Sequence, residues 1–159
     1  MPFILAAQRD QDCSTAFEEY RSYLATSART FPPSAYALAT SDWYFDFTDH
    51  RCPHDGRLES CVISDQTSND LFPPSIKIRL LAAYCDGHIE FDYREVFNFQ
   101  LSYFGQSYGH QDWRYDEFRV TDNGHVVHEI EWCGAIDTGR WLIEAADVDY
   151  AWIPREASE

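Results

Sequence analysis

The stretch YDEFRVTDNGHVVHEIEW, Tyr115 to Trp132, leaves a chain few ways to fold. Apolar and polar residues alternate on both sides of Asp122-Asn123-Gly124, and a period of two marks strands with one buried face. Gly124 suits the left-handed position of a three-residue hairpin loop. That loop sets Val120 opposite Val126 and Phe118 opposite His128. A two-residue loop would set Arg119 against His128 and Glu117 against Ile130, which matches polarity less well. His128 then shares a face with Val126, Ile130 and Trp132 and reads as a hydrogen-bonded core histidine, with His125 in the turn.

The same period recurs along most of the chain. It appears in WYFDFT from Trp43, in RLESCVIS from Arg57, and in SIKIRLLAAY and HIEFDY on either side of Asp86-Gly87. A two-residue loop at Asp86-Gly87 predicts Tyr84 opposite Ile89, Ala82 opposite Phe91 and Leu80 opposite Tyr93. The reverse face carries Lys77, Arg79, Glu90, Asp92 and Arg94 and reads as solvated. Alternation resumes at Phe97, Phe99, Leu101 and Tyr103, so Glu95 marks a bulge or strand break near Arg94–Val96, or else a buried functional carboxylate. RWLIEAADV is a last strand after a turn around Gly134–Gly139. The tail DYAWIPREASE docks Trp152 and then frays.

One helix is legible. Phe17, Tyr20, Leu24 and Ala28 recur at helical spacing, Thr15 and Glu18 form a capping box, and Pro32-Pro33 forbids continuation. The irregular stretches are Thr30–Asp42, Asp65–Pro74 and Gly105–Trp113. The expected fold is α+β: an antiparallel β-meander of seven or eight strands, as an open curved sheet or partial barrel, with one N-terminal helix. A length of 159 residues suits a single domain, 1–159, with the helix at about 15–30, a β-rich part at 43–150 and a short C-terminal tail.

Charge narrows the partners. Twenty-seven acids against twelve bases give a formal net charge of −15. Such a field repels nucleic acid and anionic membrane and speeds encounter with a basic protein; it also keeps an aromatic-rich chain in solution. Five cysteines without a C-x-x-C pair argue against a disulfide framework. MPFILAAQRD lacks a basic leader, and no apolar run is long enough to span a bilayer, so a cytoplasmic protein with reduced thiols is expected.

Two loops hold chemistry-bearing residues. TDHRCPHD, Thr48 to Asp55, offers His50, Cys52, His54 and Asp55 as a zinc set, with Glu59 as a further candidate. Its spacing matches no established ligand pattern, and Pro53 forbids the helix that would align the histidines. The other reading is a polar turn in which Asp55 orients His54. His110 and Asp112 form a second couple, which would give a metal-dependent or His/Asp hydrolytic site if the two loops met.

If the two hairpins share a sheet, Glu90, Asp92, Glu129 and Glu131 form an acidic, aromatic-studded face that would bind a basic partner. In size, acidity and the β-rich PHDGRLES segment, the middle of the chain resembles small acidic bacterial proteins of uncharacterised families, among them immunity proteins of polymorphic toxin systems. The resemblance implies a non-catalytic binding protein that neutralises a basic toxin; it carries over no functional residue. The alternatives are the hydrolytic enzyme, a small-ligand carrier with an aromatic-lined cavity, and exposed aromatics serving a homodimer.

Overall fold

The computed structural model describes residues 1–65, 73–103, 109–133 and 138–156. Among them six antiparallel strands form one sheet: β1 Arg57–Ser64, β2 Ser75–Leu81, β3 Gly87–Leu101, β4 Asp112–Val120, β5 Val126–Cys133 and β6 Thr138–Pro154. The order around the sheet is β1-β2-β3-β6-β5-β4, and the pair Arg57–Asp112 closes it into a barrel. A 3-10 turn at Ala7–Asp10 and two helices, α1 Cys13–Ser27 and α2 Pro33–Ala39, precede the strands. No helix among the described residues is long and apolar enough to cross a membrane.

Six strands replace the expected seven or eight for two physical reasons. WYFDFT is a series of turns, because its rings pack on α1: Phe45 lies 5.8 Å from Phe17 and 5.7 Å from Tyr20. HIEFDY and FNFQL are two halves of one strand, β3. The bulge expected between them is present, with Glu95 at φ +52° and a register shift between Val96 and Asn98. Glu95 is exposed, so the bulge reading replaces the buried carboxylate. The bend lets β3 and β6 serve both halves of the barrel, since β6 pairs with β3 along its length and with β5 through its first half.

The two hairpins differ in how well their turns announce them. At Asp122–Gly124 the register is Val120–Val126 and Phe118–His128, with Gly124 at φ +79°. At Asp86-Gly87 the register is Leu80–Ile89, Ile78–Phe91 and Ile76–Tyr93, with Cys85 at φ +59° inside a longer loop closed by the Ala82 amide donating to the Gly87 carbonyl. The slip is an even number of residues, so the expected inward side chains remain inward and only Tyr84 is left outside. Trp152 packs as a strand residue opposite Ile89, and a Cβ on Gly87 would come within 2.3 Å of its ring. Residues 134–137, within the expected turn, and residues 66–72 and 105–108 of two irregular stretches lie outside the described residues.

Both helices are capped by carboxylates that the local pattern did not reveal. Asp12, not the Thr15–Glu18 box, accepts the Thr15 amide at 3.0 Å and starts α1 at Cys13. α2 arises within a stretch expected to be irregular. Pro33 opens it, and Asp147 of β6 accepts the Ser34 and Ala35 amides at 3.0 and 2.9 Å.

α1 also finishes the barrel. β4 touches β1 only at Asp112, so the rest of its outer edge needs other partners. Trp113 exchanges hydrogen bonds with Asp55 and Gly56; the Tyr20 hydroxyl accepts the Phe118 amide and donates to its carbonyl, and Tyr23 accepts the Val120 amide. Replacing Tyr20 by Phe keeps the ring and strands two buried backbone groups. The expected loss is about 1–3 kcal/mol in urea unfolding, with a smaller loss for Tyr23→Phe at its half-buried position.

Candidate functional site

The barrel interior holds a polar network wrapped in rings. Asp116 projects inward from β4; its Oδ1 accepts from Trp113 Nε1 at 2.9 Å and its Oδ2 from the Tyr44 hydroxyl at 2.7 Å. His128 Nε2 lies 2.8 Å from Oδ2, which places the proton on Nε2 and leaves Nδ1 to accept from Tyr93 at 2.7 Å. His128 stacks on Phe118 at 4.0 Å, and His128 and Asp116 are 0 % and 3 % exposed. Burial, reinforced by Asp116, raises the Tyr44 and Tyr93 hydroxyls well above the usual phenol range. The arrangement is that of an acid–base relay, but it is sealed from solvent, and each heteroatom is used by a neighbour. It holds the strands in register around a single buried charge.

The octet is dispersed by the fold. His50 stacks on Tyr84 at 4.0 Å with Nδ1 beside Asp86; His54 stacks on Phe47 at 4.0 Å; Cys52 is buried and donates its thiol to the Tyr44 carbonyl. Asp55 sits at φ +63° with its amide on the Trp113 carbonyl, and its carboxylate lies 3.4 Å from His54. Hydrogen bonds from Arg51 hold the Asp49 carboxyl at about 2. A depressed carboxyl stabilises above its ordinary value near 3.8 and loses that contribution as pH falls toward 2. Burial pushes the Cys52 thiol up to about 12, so it stays protonated at neutral pH and is a poor metal ligand. Among the described residues no three His, Cys, Asp or Glu side chains are placed to hold a metal ion.

The two loops do meet, but not through their histidines. Asp55 and Gly56 pair with Trp113, and Arg57 lies 3.4 Å from Asp112. His54 faces Tyr115 on the outside of β4, whereas His110 packs at the barrel end against Trp132 and Trp141, with centroids 5.3 and 4.9 Å away. Burial lowers the His110 pKa, opposed by its bond to the Ser102 backbone.

The four carboxylates expected on one face share the sheet but not a patch. Glu90 and Asp92 pair along β6 with Ala151 and Asp149, while Glu129 and Glu131 pair with Leu142 and Arg140. At strand rise the gap is roughly 20 Å or more. Glu90 bonds Arg79 at 2.6 Å, and Asp92 lies 3.6 Å from Lys77. Glu129 is clamped by Arg119 and Arg140. Glu131 is clamped by Arg9 and Arg140 beneath the N-terminal segment.

Charge pairing is general. Nine of the twelve basic side chains, namely Arg9, Arg51, Arg57, Lys77, Arg79, Arg94, Arg114, Arg119 and Arg140, form ion pairs with carboxylates of this chain. Glu18, Glu19, Asp42, Asp46, Asp65 and Glu95 are exposed without a basic side chain in pairing distance among the described residues. Asp42 and Asp46 line a cleft of about 400 Å³ between α1 and the end of α2, together with Phe17, Phe45 and one cation, Arg21.

No protein-family model matches the chain, and no curated protein or solved structure matches it. Sequence reasoning passed over Asp116, Glu117 and Asp147, because their partners come from distant segments. Glu117, for example, accepts the Phe3 and Leu5 amides at 2.9 and 3.2 Å. The adjacent acids in YDEF were the available signal, since a strand with one buried face seldom seats charges on both sides.

Two outcomes test this geometry. Asp116→Ala leaves Tyr44, Trp113 and His128 without an acceptor, and its expected cost in urea unfolding is about 3–5 kcal/mol. Under native conditions iodoacetamide should label the exposed Cys13 and Cys85 and spare Cys52 until the chain unfolds, as read by mass spectrometry.

Proposed function

We propose that this protein is a non-catalytic binding protein that captures a basic protein partner, in the manner of an immunity protein neutralising a toxin. The observation that carries the reading is the fate of the cations. With nine of twelve tied to the chain's own carboxylates, the excess of acid is displayed at the surface with little to screen it. Such a field steers a basic partner into encounter and repels nucleic acid. Exposed carboxylates on α1 and the adjoining Asp42 and Asp46, beside the half-buried rings of Phe17 and Phe45, supply both steering and anchoring groups.

The other readings draw less support. The interior His128–Asp116 pair is walled in, which favours a scaffold role over hydrolysis. Rings that would line a ligand cavity pack on one another, with Phe91 5.3 Å from Trp113 and Trp113 5.4 Å from Trp132. All five cysteines are free, in keeping with action in a reducing cytoplasm.

The test is kinetic. A basic protein retained at low salt is purified and its association measured as ionic strength rises. The on-rate should fall steeply while the off-rate changes little, and Glu18→Gln/Glu19→Gln/Asp42→Asn should slow association several-fold without loss of stability. Failure to retain any basic protein at low salt overturns the reading.

A further inference from the structure

We propose that the outer edge of β1 is a strand-addition site for an extended basic segment of a partner protein, a statement that rests on the binding reading above and adds its mode. The barrel closes at one residue pair, Arg57–Asp112, and its two seam edges are then treated differently. The β4 edge is covered by Asp55, Gly56, Tyr20 and Tyr23. Beyond Arg57, β1 pairs only with β2 among the described residues, and every second residue of an antiparallel strand turns its N–H and C=O away from its one partner. A cleft of about 470 Å³ next to the bridge is lined by Arg57 and Leu58 and by residues Gly109–Asp112.

The side chains along this edge suit a visitor. Val62 and Ile63 point to opposite faces and are 52 % and 44 % exposed, so β1 offers β-branched apolar groups on both sides. Lysine and proline, the residues that blunt exposed edges, are absent from β1. An added strand would pair the backbone groups that the other described residues leave unpaired and would cover Val62 and Ile63 together.

Charge selects the occupant. Asp55 and Asp65 flank the edge without an arginine or lysine partner among the described residues, while Asp112 is matched to Arg57 and Glu59 to Arg79 and His88. A second copy would carry the same net charge of −15 and would bring a second unpaired Asp65 to the same edge. A basic strand turns that repulsion into attraction.

The experiment uses two capped octapeptides of equal charge, one alternating Lys and Val and one alternating Lys and Pro, with amide hydrogen exchange followed across the whole chain. The Lys-Val peptide should slow exchange in 58–64 by about tenfold or more, the Lys-Pro peptide should not, and Val62→Thr/Ile63→Thr should weaken Lys-Val binding on the order of tenfold. Binding of both peptides without protection of 58–64 overturns the strand-addition site and leaves the binding reading intact. If neither peptide binds at low salt, both are overturned. Protection of 58–64 that grows with protein concentration in the absence of peptide overturns the basic occupant in favour of a second copy.

Discussion

A single carboxylate inside an aromatic barrel sets most of this architecture. Unpaired, Asp116 would be ruinous at its depth, so each of its two oxygens has to meet a donor. The donors come from three places: Trp113 on its own strand, His128 on β5, and Tyr44 from the segment between α2 and β1. His128 brings in Tyr93 of β3. Satisfying one charge therefore fixes the β4–β5 register, the approach of β3 across the barrel, and the docking of a loop with no strand of its own. Hydrophobic packing alone would tolerate sliding of these rings; a hydrogen-bonded network does not.

The same logic explains the seam. Six strands close with one bridging pair, and the polar edge left on β4 is met by tyrosine hydroxyls from α1 in place of another strand. α1 is held by those bonds, by the rings of Phe45 and Phe47 against Phe17, and by the N-terminal segment anchored on Glu117. Asp147 does for α2 what Asp116 does for the interior, capping the helix from a strand far along the chain. Buried acids thus act as joints between segments. Several of the twelve cations are drawn inward to balance them, as Arg119 is by Glu117 and Arg9 by Glu131.

What the sequence made legible was whatever depends on neighbours in the chain. Strand parity, the Asp122–Gly124 hairpin and its register, the Glu95 bulge and the core position of His128 follow from local period and turn chemistry. Asp86-Gly87 misled because the left-handed residue that sets the loop is Cys85, which no turn preference announces. WYFDFT alternates like a strand, but its rings answer to a helix, and periodicity cannot say which surface a face will meet. The joints at Asp116, Glu117 and Asp147 were out of reach for the same reason: each is defined by donors from segments distant in the chain.

That division also bears on the site. An acidic face drawn from strand alternation treats all outward carboxylates as equal, yet Glu129 and Glu131 are consumed by arginines while Asp42, Asp46 and Asp65 are not. Pairing, not position on the sheet, decides which acids a partner can feel, because a neutralised carboxylate adds little to the field beyond a Debye length. The unpaired acids lie on α1, in loops, at the β3 bulge and just past the end of β1. On the proposed strand-addition reading, the unpaired Asp65 beside β1 favours a basic visitor over a second copy of the chain.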